Sequence, residues 1–109
     1  MNKQHTQYDI TAPTVITPAS PLNPMTMFNG YIVQVPGTSG TLTLNDCASL
    51  AEASAENQII SIPYGDAHGA AGGGNALDLP IETGLVVSSV PVGMTLSVIY
   101  SYYVAGSHG

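Results

Sequence analysis

The chain has 109 residues, of which one is basic and seven are acidic; its formal net charge is −6, and 44% of it is hydrophobic against 7% charged. That length fits one domain, and the balance is the reverse of the low-hydrophobicity, high-charge composition that keeps chains disordered. One lysine cannot neutralise a row of phosphates or draw the chain to anionic lipid, so no nucleic-acid partner and no membrane partner is expected.

The N-terminal MNKQHTQYDI has no apolar run of signal-peptide or membrane-span length, and a soluble protein made in a cytosol is expected. Residues 1–26 carry Pro13, Pro18, Pro21 and Pro24 among Thr, Ala, Ser and Asn, with little apolar periodicity. Proline fixes its own φ and pushes the preceding residue toward extended geometry, so an extended arm is predicted over 1–26. A free tail is the plain reading of such a terminus. The sharper one is an arm ordered on another subunit, with Tyr8, Ile10, Val15, Ile16 and Leu22 as its anchors.

From Phe28 the sequence turns into short β-branched and aromatic runs broken by Gly, Pro, Asn and Asp, which is strand patterning. Phe28 to Val35, then PGTSG, then the alternating TLTLND predict a hairpin, with Gly40 free to take positive φ and with Leu42 and Leu44 on the buried face. The alanine-rich 46–56 segment is long enough for one or two helical turns covering an edge. A strand over 57–63 with Ile60 and Ile62 inward follows.

Residues 64–76, with four glycines after His68, predict a long mobile loop. Its GAAGGG lacks the following lysine and the strand-then-helix setting of a phosphate-binding loop. Leu77, Leu79 and Ile81 then alternate with polar residues, and Pro80 marks an edge strand. Gly84 opens GLVVSSV, Pro91 to Gly93 turn the chain, and 95–104 form the last strand, with Leu96, Val98, Tyr100 and Tyr102 on one face. Tyr103 points the other way and is a candidate interface residue.

Short strands with turn signals every eight to twelve residues, and no room for crossover helices, predict an all-β antiparallel sandwich, jelly-roll-like or immunoglobulin-like, over 27–104. Residues 105–109 are expected to form a flexible tail. A domain this small, without disulfide or metal, is marginal alone and gains from oligomeric or lattice contacts.

No reactive constellation is legible. Asp66 and His68 come nearest, but a glycine-rich loop is poor ground for ordered chemistry. Cys47 has no second cysteine for a disulfide or a thiolate-rich zinc site, and Asp46 beside it raises rather than lowers a thiol pKa. The expectation is no enzyme, no catalytic residue, no metal and no cofactor.

Gly30-Tyr31-Ile32-Val33 leading to PGTSGTLTLND, then an isoleucine-rich strand, LPIETGLVVSSV and a closing TLSVIYSYY, resemble small virion β-sandwich proteins of tailed bacteriophages over residues 28–104. Asn45 departs from that pattern, which commonly carries tyrosine there, and so does the long 64–76 loop. The resemblance implies a head decoration or cement protein, often a homotrimer, on the outer surface of the major capsid protein lattice, with an N-terminal arm across neighbouring subunits. A tail, neck or fibre component contacting a host receptor is the alternative location. A small carbohydrate- or metal-binding module using Asp66 and His68 is the alternative class.

Overall fold

The computed structural model describes residues 2–17, 26–67, 70–71 and 79–103; at 2–5, 17, 70–71 and 102–103 only the backbone is described. The described strands are β1 (Asn2–Ile10), β2 (Thr14–Thr17), β3 (Thr26–Val35), β4 (Thr41–Asp46), β5 (Gln58–Pro63), β6 (Ala70–Ala71), β7 (Leu79–Ile81), β8 (Leu85–Ser89) and β9 (Thr95–Tyr103). All pair antiparallel in two sheets. The first runs β1-β9-β3, with β6 and β7 both on the far side of β3; the second runs β2-β8-β4-β5. The pairs are nested: β4 with β5, β3 with β6 and β7, β2 with β8, β1 with β9. Such nesting is a long hairpin rolled into a sandwich, so of the two sandwich types expected the chain adopts the jelly roll.

The core follows from alternation. Leu42 and Leu44 point inward from β4, Leu85 and Val87 from β8, and Leu96 and Val98 from β9, all fully buried with Phe28 of β3. Ile60 and Ile62 pack against that cluster, as the pattern predicts. Each such side chain contributes roughly 1.5–3 kcal/mol by leaving water. The other face of the second sheet is also covered: Asn45 and Val86, directly paired, are buried beneath the 47–57 segment. That segment forms the expected short turns, as 3-10 helix at Leu50–Glu52 and Ala55–Asn57. It crosses the face of the central strands β4 and β8 and does not cover an edge.

Three other expectations are corrected. Residues 2–17 do not stand apart as an arm: β1 pairs with β9 and β2 with β8, so they are edge strands of the sandwich, and a domain boundary at residue 27 cuts through it. Proline misled here because Pro13 falls in the corner between two edge strands, where a missing N–H leaves no ladder bond unmade. Second, β3 and β4 are not a hairpin; PGTSG is an arch that carries the chain from one sheet to the other. Third, the 64–76 stretch is not all loop. Pro63 and Tyr64 carbonyls accept from Asp66 and Ala67 amides, Ala67 is fully buried, and Ala70–Ala71 pair with Ile32 and Tyr31. The remainder of that stretch and the predicted 105–109 tail lie outside the described residues.

Candidate functional site

Strand direction sorts the connections into two poles. Ile10 pairs with Leu96, Val35 with Thr95 and Pro63 with Thr41, so the corner after β1, the 36–40 arch, the turn after β5 and the 91–94 turn gather at one end. The 47–57 segment and the 82–84 turn lie at the other, about 17 Å away along the six residues of β4.

The first pole is cross-tied. Val92 N–H donates to the Ser39 carbonyl at 2.8 Å, Thr38 N–H to the Val92 carbonyl at 2.8 Å, and Tyr64 N–H to the Gly40 carbonyl at 3.0 Å. Gly93 closes the 91–94 turn at φ +79°, with Met94 N–H donating to the Pro91 carbonyl, and Gly40 adopts φ +99° as the sequence predicts. At the β1 corner Asp9 sits in the left-handed region at φ 54°, which aspartate tolerates. Gln34 Nε2 donates to its carboxylate at 2.9 Å, while Gln34 Oε1 accepts from Asp9 N–H and from Ser97 Oγ. That clamp ties β1, β3 and β9 together.

On this framework four large apolar or aromatic side chains are exposed among Thr, Ser, Gln and Asp. Tyr8 is 67% exposed, Val92 65%, Val35 49% and Tyr64 43%. Beneath them Met94 is buried and closes the core. A shallow concavity of about 250 Å³ lies along the Gln7 to Thr14 corner.

The opposite pole is acidic, carrying Asp46, Glu52, Glu56 and Glu82. Asp46 is spent on structure: its carboxylate accepts from the amides of Glu82, Thr83 and Gly84 at 2.8–3.1 Å. Asn45 is likewise consumed, donating to the Ser54 carbonyl and Asn57 Oδ1 and accepting from Ser88 Oγ. Cys47 is buried, and its Sγ donates to the Ser49 carbonyl at 3.2 Å. Burial pushes the thiol pKa up, with the Glu52 and Asp46 carboxylates acting in the same direction.

Of the anchors predicted from sequence, Tyr8 is exposed and Val15 is 37% exposed, whereas Ile10 is in the core and Ile16 packs against it. Ile10 and Ile16 therefore cannot serve as arm anchors, because the fold has already used them. Leu22 lies outside the described residues, and for Tyr103 only the backbone pairing with Asn2 is described. Asp66 is exposed in the turn after β5, and His68 lies outside the described residues. Sequence reasoning missed Val35, Tyr64 and Val92. Their signal was an apolar residue next to a turn breaker: before Pro36, after Pro63, and between Pro91 and Gly93.

Among the described residues no three His, Cys, Asp or Glu side chains are grouped to hold a metal, and no helix is long and apolar enough to cross a membrane. No family model, curated protein or solved structure matches the chain.

Proposed function

We propose that this chain is a non-enzymatic structural protein of a tailed-phage virion: a head decoration or cement protein that binds, as a homotrimer, the outer surface of the major capsid protein lattice. The resemblance over residues 28–104 supplies the virion setting. The observation that most supports an adhesive rather than a chemical role is how the sandwich disposes of its polar groups. Asn45, Asp46, Gln34 and Ser88 are bonded within the fold, while Tyr8, Val35, Tyr64 and Val92 face outward. Aromatic and aliphatic side chains on a rigid frame are what protein interfaces are built from.

A protein that binds only the assembled lattice stabilises it by mass action, and many copies act jointly. With 2–17 folded into the sandwich, the reading does not rest on a free arm. The test is composition and location in purified particles: the chain is expected on the exterior of the head, and heads stripped of it should lose their contents at lower temperature. Its absence from mature particles would overturn the proposal, and a position in the tail or fibres would replace it with the alternative location.

A further inference from the structure

We infer that the pole formed by the 36–40 arch, the turn after β5 and the 91–94 turn is the face laid against the shell, and that the acidic pole points away from it. The inference rests on the decoration reading and adds to it an orientation and a partner chemistry: an apolar patch, neutral to weakly basic.

The argument is one of desolvation. The acidic pole holds Asp46, Glu52, Glu56 and Glu82, and the whole chain offers one basic residue as an internal counter-charge. Asp46 is held within the fold, but pressing that end onto another protein strips water from the exposed Glu52, Glu56 and Glu82 carboxylates, which is costly unless each finds a well-placed cation. The other pole exposes Tyr8, Val35, Tyr64 and Val92 with, among the described residues, only two carboxylates nearby, and Asp9 is already held by Gln34. Covering it gains apolar burial with little polar desolvation.

Rigidity points the same way. The backbone of Val92 is bonded in both directions, to Ser39 and to Thr38, and the amide of Tyr64 is bonded to Gly40, so these side chains are presented by loops that need little further ordering on binding. The few charges favour a partner patch that is itself apolar, with any flanking charge basic, to complement Asp66 and the net charge of −6.

The experiment adds full-length protein to heads that lack it and measures bound copies against concentration, with light scattering of the unbound protein alongside. Val92→Asp and Tyr64→Asp should each lower affinity at least tenfold while leaving the melting curve near that of the parent, since both side chains are exposed. Glu52→Gln together with Glu56→Gln should leave affinity within about twofold. Unchanged binding of both Val92→Asp and Tyr64→Asp, or loss of binding in the acidic-pole variant, overturns the orientation while the decoration reading stands. If Val92→Asp and Tyr64→Asp instead dissociate the free oligomer, this pole is a contact between copies of the chain and the inference is wrong. Failure of the parent protein to bind any head overturns the decoration reading, and the inference with it.

Discussion

Ser88 Oγ donates to Asn45 Oδ1 at 2.5 Å across the β4–β8 pair, on the face of the second sheet turned away from the core. The amide of Asn45 donates in turn to the Ser54 carbonyl and to Asn57 Oδ1, both at 2.8 Å. One side chain that is only 2% exposed thus joins a strand, its neighbour and the overlying 47–57 segment.

Replacing that hub should be costly. Asn45→Ala removes three hydrogen bonds at once, to the Ser54 carbonyl, Asn57 Oδ1 and Ser88 Oγ, so a loss of about 2–3 kcal/mol is expected. At roughly 4–8 °C per kcal/mol for a domain of this size, the melting midpoint should drop by about 10 °C or more. Ser88→Ala removes a single donor and should cost about 1 kcal/mol. The double variant should lose less than the two losses added, because the groups share a network. Strict additivity in urea titrations would show that Asn45 and Ser88 act independently.

Part of this was legible in the residues and part was not. The alternation of TLTL placed Leu42 and Leu44 inward, Gly40 marked a positive φ, and the last strand announced itself through Leu96 and Val98. The first strand did not, because a bulge between Gln7 and Ile10 interrupts its alternation and it is an edge, so among its described side chains only Ile10 is buried. The arch at PGTSG carries the same turn residues as a hairpin; whether such a loop stays in one sheet depends on the distant partners β9 and β8, which local sequence does not encode. Asn45 stood out only as a departure from the resembled pattern. Its role depends on Ser54 and Ser88, 9 and 43 residues away.

The placement of β1 and β2 has a direct consequence. Deleting residues 1–17 strips β9 and β8 of one neighbour each, turning both into open edges, and uncovers the core where Ile10 and Ile16 pack, so the truncated chain should lose its cooperative thermal transition. At single-residue scale Ile10→Ala should cost roughly 2–5 kcal/mol, and Tyr8→Ala less than about 0.5. A truncated chain that melts like the parent would show that these strands contribute nothing to the fold.

Two glycines at the apolar pole should fail for different reasons. At Gly93 a Cβ meets nothing within 4 Å, but φ is +79°, so Gly93→Ala bears backbone strain of roughly 1–2 kcal/mol and Gly93→Asn less. At Gly37 a Cβ would sit 2.8 Å from Pro91 Cβ and 3.3 Å from Met94 Cβ, a steric conflict worth about 1–3 kcal/mol. Pro91→Gly removes the nearer atom, so it should recover part of the Gly37→Ala loss and none of the Gly93→Ala loss. Equal effects of Pro91→Gly on both would mean the two turns share one source of strain.

Alkaline pH should weaken the fold in two stages. Burial raises the Cys47 thiol above its ordinary 9.0 and the Tyr31 phenol above its ordinary 10.0. Between the unfolded and folded pKa of such a group the unfolded chain has released a proton that the folded one retains, so stability falls as pH rises through that interval and is unaffected below it. Urea midpoints are therefore expected to be level, as far as these two groups are concerned, up to about pH 9, to decline from there through Cys47, and to decline further from about pH 10 as Tyr31 joins. Cys47→Ala should remove the first decline and Tyr31→Phe the second, even though each variant starts from a lower midpoint through lost packing. The native thiol should also react slowly with a disulfide reagent at pH 8, because little of it is thiolate and the side chain is buried. Prompt labelling of the native protein, or a parent midpoint that stays level to pH 10.5, would show that Cys47 is open to solvent.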